Sequence, residues 1–163
     1  MIMIKRFITI CSLFLFLNAG AQNNSLILEK WETSPVVHTI DSKYDGESAV
    51  ILLDKRRVEY IDEKEELVTY RTLHKIIHIN NDNGIEASNR IYLPVNENKD
   101  LVSIKARTVL PGGKIIEISS ENIKDIKGEN EQMYKIFAME GLVKGCEVEF
   151  YYTYKRNTGY FGS

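Results

Sequence analysis

The stretch AVILLDKRRVEYIDEKEELVTYRTLHKIIHI, residues 49–79, decides the fold. It is rich in β-branched and aromatic residues and lacks the three-to-four-residue apolar spacing of an amphipathic helix. The charged segment DEKEE, residues 62–66, interrupts it near its middle. Two strand-like runs joined by a short polar segment are typical of a β-hairpin. Residues 49–79 are therefore predicted to form one long antiparallel hairpin.

The chain beyond the hairpin continues as short strands. The segment NNDNG, residues 80–84, predicts a turn, because Asn and Gly readily adopt positive φ. The segment EASNRIYLPV, residues 86–95, predicts a third strand that ends near its proline. Two further strands are predicted at KIIEI, residues 114–118, and MYKIFAM, residues 133–139. The polar residues 119–132 between them predict a connection that only Ile123 and Ile126 anchor.

The clearest alternation lies in LVSIKARTVL, residues 101–110. Alternate side chains of a strand point to opposite faces of a sheet. One predicted face carries Val102, Ile104, Ala106, Thr108 and Leu110, and the other carries Ser103, Lys105 and Arg107. The first face is expected in the core and the second in water. The turn Pro111-Gly112-Gly113 follows, with proline setting φ and glycine supplying positive φ.

The last predicted strand runs from Cys146 to Tyr154. It places Cys146, Val148, Phe150, Tyr152 and Tyr154 on one face, with Glu147, Glu149 and Thr153 opposite. Nothing that follows it predicts an element to cover this apolar face. We therefore expect a bare strand edge that pairs with another chain or with further sequence, and a marginally stable or dimerising module. The fold class is predicted as all-β, an antiparallel β-sandwich or open barrel that is incomplete at the C-terminus.

The N-terminus has the pattern of a secretory signal peptide. Lys5 and Arg6 precede an apolar run at residues 7–17, and Ala19-Gly20-Ala21 forms a small-x-small cleavage site. The run is shorter than the roughly 20 residues that a membrane-spanning helix requires. We therefore divide the chain into a signal peptide (1–21), a polar lead-in (22–47) and a truncated β-sandwich module (48–163).

Export with cleavage after Ala21 is the first testable prediction. The intact mass of the exported protein should lack residues 1–21, and a mass that retains them would refute the assignment. The expected location is the periplasm, the cell surface or the extracellular medium, with no membrane span after cleavage.

Charge and cysteine content exclude several classes of protein. Removing Lys5 and Arg6 with the signal peptide leaves 19 basic and 23 acidic side chains, a net charge of −4. A nucleic-acid partner is not expected, because such proteins carry a basic face. Of the two cysteines only Cys146 remains after cleavage, so no internal disulfide can form. Stability must come from an apolar core, which a chain of this length can bury.

The lead-in is predicted to attach loosely to the module. Its segment NNSLILEKWE, residues 23–32, could form a short helix capped by Ser25 and ended before Pro35. Trp31 is expected to dock on the body of the module.

The residue types that carry chemistry form no convincing catalytic or metal site. His74 and His78 have helical zinc spacing but lie in a predicted strand, about 13 Å apart, too far to share one metal. They are expected to be exposed or cross-strand residues, and His38 has no obvious partner. Cys146 is expected to be a buried apolar group, because a nucleophilic cysteine needs a histidine or helix N-terminus nearby. Catalytic residues, metal ligands and cofactors are all predicted as none.

Two other groups of residues have both a structural and a functional interpretation. Acidic residues cluster at two positions and could be calcium ligands or a general acid/base set: Asp62, Glu63, Glu65 and Glu66, and Glu129 and Glu131. They are interleaved with lysine or amide residues and form no twelve-residue calcium loop, so solvated turns are favoured. The aromatic residues Tyr151, Tyr154, Tyr160 and Phe161 could form a ligand platform, but are preferred as core residues.

Three stretches together resemble a known family. They are residues 49–86, ARTVLPGGKIIEISSENIKDI at 106–126, and MEGLVKGCEVEFYYTY at 139–154. The chain resembles the exported bacterial domain of unknown function 3857, which precedes a transglutaminase-like domain in many exported proteins. The matching motifs are the turn 111–114, the Gly-Leu-x-x-Gly segment 141–145 and the Val-Glu-Phe strand 148–150. The resemblance covers roughly residues 48–156, and the lead-in matches nothing.

This resemblance implies a β-sandwich module with no catalysis of its own. The catalytic Cys-His-Asp of the transglutaminase-like partner would lie in a later domain in cis, and Cys146 inherits no such role. The expected function is scaffolding or substrate presentation for that domain. The alternative is a free-standing secreted module that binds peptide or glycan or mediates adhesion.

Overall fold

The structure is a computed structural model that describes residues 25–64, 66–93, 101–128 and 133–157. The predicted signal peptide lies outside these residues, as do Glu65, Pro94, Glu129, Glu131, Tyr160 and Phe161. Eight strands are present in this part of the chain: β1 Ala49–Glu63, β2 Glu66–Ile79, β3 Arg90–Leu93, β4 Leu101–Val109, β5 Ile115–Glu117, β6 Ile123–Lys127, β7 Met133–Ala138 and β8 Glu147–Asn157. The same residues contain one α-helix, α1, at Asp82–Ser88, and two 3-10 helices, at Ser42–Tyr44 and Ser120–Asn122.

The strands form two antiparallel sheets. One has five strands in the order β1-β2-β8-β4-β5, and the other has three in the order β3-β7-β6. Each strand pair in the described residues is antiparallel. The prediction of an all-β antiparallel sandwich is confirmed. No helix in the described part of the chain is long and apolar enough to cross a bilayer.

The predicted hairpin is confirmed as β1 and β2. Its register runs from Ala49 opposite Ile79 to Glu63 opposite Glu66, with one irregularity between Ile51 and Leu53. The turn is tighter than the charged segment suggested, and Lys64 adopts a left-handed φ of 52° within it.

The last described strand, β8, is the middle strand of the five-stranded sheet. The expectation of a bare edge is therefore wrong. One edge of β8 pairs with β2, from Val68 opposite Asn157 to His78 opposite Glu147. Its other edge pairs with β4 from Leu101 to Val109. The chain folds back so that its last described strand fills the gap between the hairpin and β4. Both edges of β8 are thus hydrogen-bonded to neighbouring strands, and neither is free to pair with another chain.

The main core lies between the two sheets. The apolar face of β8 is buried there, as predicted: Val148 and Cys146, which immediately precedes the strand, are both at 0% exposure. The three-stranded sheet contributes Ile91, Leu93 and Phe137, of which Leu93 is fully buried. Leu73 and Ile77 of β2 pack against the same cluster.

The structure corrects two predictions of secondary structure. Residues 82–88 form helix α1 in place of a turn and the start of β3, because the Asn81 side chain caps the helix by accepting from the Gly84 amide at 3.2 Å. Glycine is required at position 84, since a Cβ there would lie 2.1 Å from the Ser48 carbonyl oxygen. The predicted connection 119–132 contains β6, which pairs with β7. Its apolar residues Ile123 and Ile126 are three apart, so no alternation marked it as a strand.

The alternation predicted for β4 holds only in part. A register irregularity between Leu101 and Ser103 shifts its first residues. Leu101 therefore packs on the core, while Val102 is 42% exposed. Ile104 and Ala106 face the core as predicted.

Candidate functional site

The second face of the five-stranded sheet, opposite the core, is covered by the N-terminal arm, residues 25–48. We call this side of the sheet the arm face. The face predicted to meet water is in fact buried around Arg107, which is only 2% exposed. Glu147, Glu149 and Thr153 of β8 are also at most 5% exposed. Charged side chains buried this deeply must be paired.

Glu149 is at the centre of the buried charges. Its Oε2 accepts from Nε of Arg107 at 2.6 Å and lies 2.5 Å from Nη2. Its Oε1 lies 2.8 Å from Nε2 of His74 on β2. The contact with Arg107 follows from the register, because Arg107 is directly opposite Glu149 on the neighbouring strand. His74 reaches Glu149 diagonally, since its own partner on β8 is Tyr151, two residues later.

Glu29 of the arm completes the network. It is 8% exposed. Its Oε1 lies 3.0 Å from Nδ1 of His74 and accepts from Nζ of Lys55 at 2.8 Å. Its Oε2 accepts from Nη1 of Arg57 at 2.9 Å. His74 therefore bridges a carboxylate of the arm and a carboxylate of the sheet.

The environment of this network shifts three pKa values. Burial alone would lower the pKa of His74, but its hydrogen bonds to Glu149 and Glu29 outweigh burial and raise that pKa above its ordinary value. Burial alone would raise the pKa of Glu149, but hydrogen bonds from His74 and Arg107 hold it below its ordinary value. The pKa of Glu29 is lowered against burial by Lys55 and His74.

These shifts predict how stability depends on pH. A raised histidine pKa stabilises the fold fully below the ordinary value of 6.5, and this contribution is lost as pH rises through the folded-state pKa. The lowered carboxylate pKa values stabilise the fold above 4.5, and this is lost as pH falls through them. The free energy of unfolding should therefore be greatest between about pH 4.5 and 6.5. Urea denaturation across the pH range measures it, and His74→Gln should flatten the alkaline decline. An unchanged decline in that variant would contradict the assignment to His74.

Trp31 docks on the arm face, as predicted. Its ring makes an edge contact with Tyr151 at 5.4 Å between centroids, and it lies 4.3 Å from Cζ of Arg107. The predicted helix at the start of the arm is wrong over its described residues, because no helix forms between Ser25 and Glu32. The arm is held by tertiary contacts in place of helical hydrogen bonds.

A second histidine and carboxylate group lies at the other end of the arm. Nδ1 of His38 lies 3.0 Å from Oε2 of Glu147, and Nδ1 of His78 lies 3.4 Å from Oε1. His38 thus has a partner, contrary to the sequence-based expectation. His74 and His78 are buried at 6% and 9% exposure, and each contacts a different carboxylate of β8. The described residues contain no group of three or more ligands that could hold a metal ion.

A cavity of about 460 Å³ lies between the arm and the sheet. The arm lines it with polar and apolar side chains, including Glu29, Trp31 and Val37. The sheet lines it with charged residues and with Leu53, Ile76 and Val109. The arm therefore does not fill the space between itself and the sheet.

The aromatic and acidic residues singled out in the sequence make contacts within the fold. Tyr151 is buried on the arm face, and Tyr154 packs partly buried against the core. Of the first acidic group, Asp62, Glu63 and Glu66 lie in strands and not in a turn. Glu63 accepts a hydrogen bond from Lys155 at 2.6 Å and another from Tyr70.

Cys146 is fully buried, as predicted, and its Sγ accepts from the Val143 amide at 3.4 Å. Burial raises the pKa of its thiol. We expect slow labelling by a thiol reagent in the native protein and rapid labelling in denaturant. Cys146→Ser should lower the free energy of unfolding by about 1–3 kcal/mol, because it buries a hydroxyl. Rapid native labelling below neutral pH would contradict this placement.

Glu29, Arg107 and Glu149 were not expected to form a buried cluster. Local patterns carried no signal for it, since Arg107 and Glu149 stand at the alternate polar positions of their strands, which normally face water. The pairing of β4 with β8 brings them together across 42 residues of chain, which local patterns do not specify.

A family model matches most of the sandwich. The model of DUF3857, described as a "Domain of Unknown Function with solved-structure structure", matches residues 68–163. No curated protein matches the chain. A solved structure from Parabacteroides distasonis, described as a "putative protease", superposes with a TM-score of 0.48 at 11% identity. The match covers 57% of this chain and 20% of that one.

Proposed function

This chain belongs to the DUF3857 family, and we propose that it is a non-catalytic exported β module that holds polypeptide for a transglutaminase-like domain in cis. The observation that carries the proposal is the composition of the arm face. Its buried ionisable groups are committed to one another in ion pairs across the arm and the sheet. By these pairs the sheet already holds one polypeptide segment, the arm.

The same groups are poorly suited to acid–base or nucleophilic chemistry. His74 lies between two carboxylates that favour its protonated form, so it is a poor general base. The Cys146 thiol is buried among apolar residues of the core, away from that histidine. A nucleophile and a base within hydrogen-bond reach are required for covalent catalysis.

The proposal is tested with the natural exported polypeptide in which this sequence is encoded. If that polypeptide contains a transglutaminase-like domain, deleting residues 48–157 should raise KM for a protein substrate more than KM for a short peptide. The isolated module should show neither peptide hydrolysis nor acyl transfer. Turnover by the module alone, or equal KM values with and without it, would refute the proposal.

One observation favours the alternative of a free-standing peptide- or glycan-binding module. A groove of about 340 Å³ is lined by Arg56, Arg71, Tyr152 and Tyr154 among others. The two tyrosine rings stack at 6.2 Å between centroids, and the guanidinium of Arg156 lies 5.4 Å from the Tyr154 ring. Aromatic rings beside arginines suit an anionic sugar or peptide. Binding of an acidic oligosaccharide that Tyr154→Ala abolishes would support this alternative.

A further inference from the structure

We propose that the arm face is a peptide-binding surface, that it recognises a non-helical peptide with a glutamate two residues before a tryptophan, and that the arm is its replaceable occupant. This inference rests on the proposed role in holding polypeptide. It adds the chemistry of the ligand and the surface that receives it.

The arm is attached to the sheet without strand pairing. Residues 25–40 form no helix or strand and no backbone–backbone hydrogen bond with the rest of the described chain. The main core cluster contains no residue of the arm. Residues 25–40 can therefore leave the sheet without breaking a sheet ladder or opening the space between the two sheets, at the cost of the contact of Leu26 with a second small cluster.

Side chains of the sheet bind the arm's main chain instead. Glu59 accepts from the Ile27 amide at 3.1 Å, and Arg57 donates to the Ile27 carbonyl. Nη1 of Arg107 donates to the Glu32 carbonyl at 2.7 Å. Contacts to backbone atoms can be made by any peptide that follows the same path. Charge-assisted hydrogen bonds of this kind are stronger than neutral ones.

A further main-chain contact lies near the end of this path. Glu147 accepts from the His38 amide at 2.6 Å. The contacts therefore extend from residue 27 to residue 38 and involve β1, β4 and β8. A peptide of about this length would cross several strands of the sheet.

Two side chains of the arm supply the specificity. The Glu29 carboxylate is received by Lys55, Arg57 and His74. Trp31, two residues later, lies against Arg107 and Tyr151. Without the arm, the sheet would present three cationic or protonatable groups to one carboxylate and a cation beside an aromatic ring. This combination favours a ligand with the pattern Glu-x-Trp.

The fit of the middle of the arm is loose. The cavity of about 460 Å³ borders Pro35, Val36 and Val37, and Val36 is 75% exposed. The opposite wall is apolar at Leu53, Ile76 and Val109. A ligand with larger apolar side chains at these positions would bury more surface than the arm does, and so could compete with it.

The experiment converts the arm into a separable peptide within the full exported chain. A specific protease site is inserted after Thr39, which is exposed, and the folded protein is cut there. A fluorescent synthetic peptide of residues 25–39 is then added, and its binding is measured by anisotropy. We expect the cut protein to exchange its arm for the labelled peptide, and the uncut protein to bind that peptide at least tenfold more weakly.

Matched controls separate recognition from non-specific adhesion. A peptide with Glu29→Gln and Trp31→Ala should bind the cut protein at least tenfold more weakly than the natural peptide. Circular dichroism of the cut protein after the arm is competed away should retain the β spectrum. Loss of that spectrum, failure of exchange or equal binding of the two peptides would overturn the inference. None of these outcomes depends on a transglutaminase-like domain, so a failure here is distinguishable from failure of the proposed function.

Discussion

Replacing Arg107 by alanine should lower the free energy of unfolding by about 3–5 kcal/mol, as expected when one partner of a buried ion pair is removed. Arg107 is 2% exposed, and its guanidinium contacts the carboxylate of Glu149 and the carbonyl of Glu32. In the variant, Glu149 stays buried with only His74 as a charged partner. An uncompensated buried carboxylate is the main source of the loss. Urea denaturation followed by circular dichroism measures it.

Two comparisons identify the origin of the effect. The exposed pair of Lys43 and Asp41, 3.2 Å apart, is a surface control, and Lys43→Ala should change stability by less than about 1 kcal/mol. The double variant Arg107→Met with Glu149→Leu should recover much of the loss, because both charges are then absent. A loss below about 1 kcal/mol in Arg107→Ala would show that water already solvates the carboxylate, and would contradict the buried network.

Local sequence patterns predicted the β class and most strands. The hairpin of β1 and β2 was predictable because its strand-forming runs and its charged turn are adjacent in the chain. The two faces of β8 were also predictable from a period of two. The position of β8 in the sheet was not, because alternation indicates that a strand has one apolar face and not which strands pair with its edges. That choice depends on β2 and β4, which precede β8 by roughly 70 and 40 residues in the pairs His78–Glu147 and Arg107–Glu149.

The candidate site was unpredictable for a related reason. Polar residues at alternate positions of a strand normally indicate a face in water. On β4 and β8 they are buried because a segment without regular structure lies over them. Glu29 of the arm supplies the negative charge that pairs with Lys55, Arg57 and His74 of the sheet. Trp31 of the arm supplies the ring that contacts Tyr151. The docking of Trp31 was predictable, but no local pattern connects Glu29 with His74, 45 residues away.

The two faces of the five-stranded sheet differ in the kind of contact that covers them. The core between the sheets is apolar, whereas the arm face is held by charges and hydrogen bonds. The packing of the two sheets on each other should therefore depend mainly on the apolar core, and retention of the arm mainly on the ionic contacts. A substitution in the core tests the first part of this statement without touching the arm.

Phe137→Ala should accordingly lower the free energy of unfolding by about 3–5 kcal/mol, the range for truncating a buried phenylalanine. Phe137 lies in β7, is 1% exposed, and pairs with Ile91 on one side and Ile123 on the other. It belongs to the cluster that joins the three-stranded sheet to the apolar face of β8. Alanine would remove most of the ring's buried surface and leave a cavity that the paired strands cannot close.

The matched control lies on the outer side of the same sheet. Tyr92 of β3 is an aromatic residue with 58% exposure, and Tyr92→Ala should change stability by no more than about 0.5 kcal/mol. Phe137→Leu should lie between the two, because leucine refills part of the cavity. Thermal and urea denaturation of the three variants measure these differences. Equal effects of Phe137→Ala and Tyr92→Ala would mean that the three-stranded sheet does not pack on β8, and the sandwich arrangement would then be wrong.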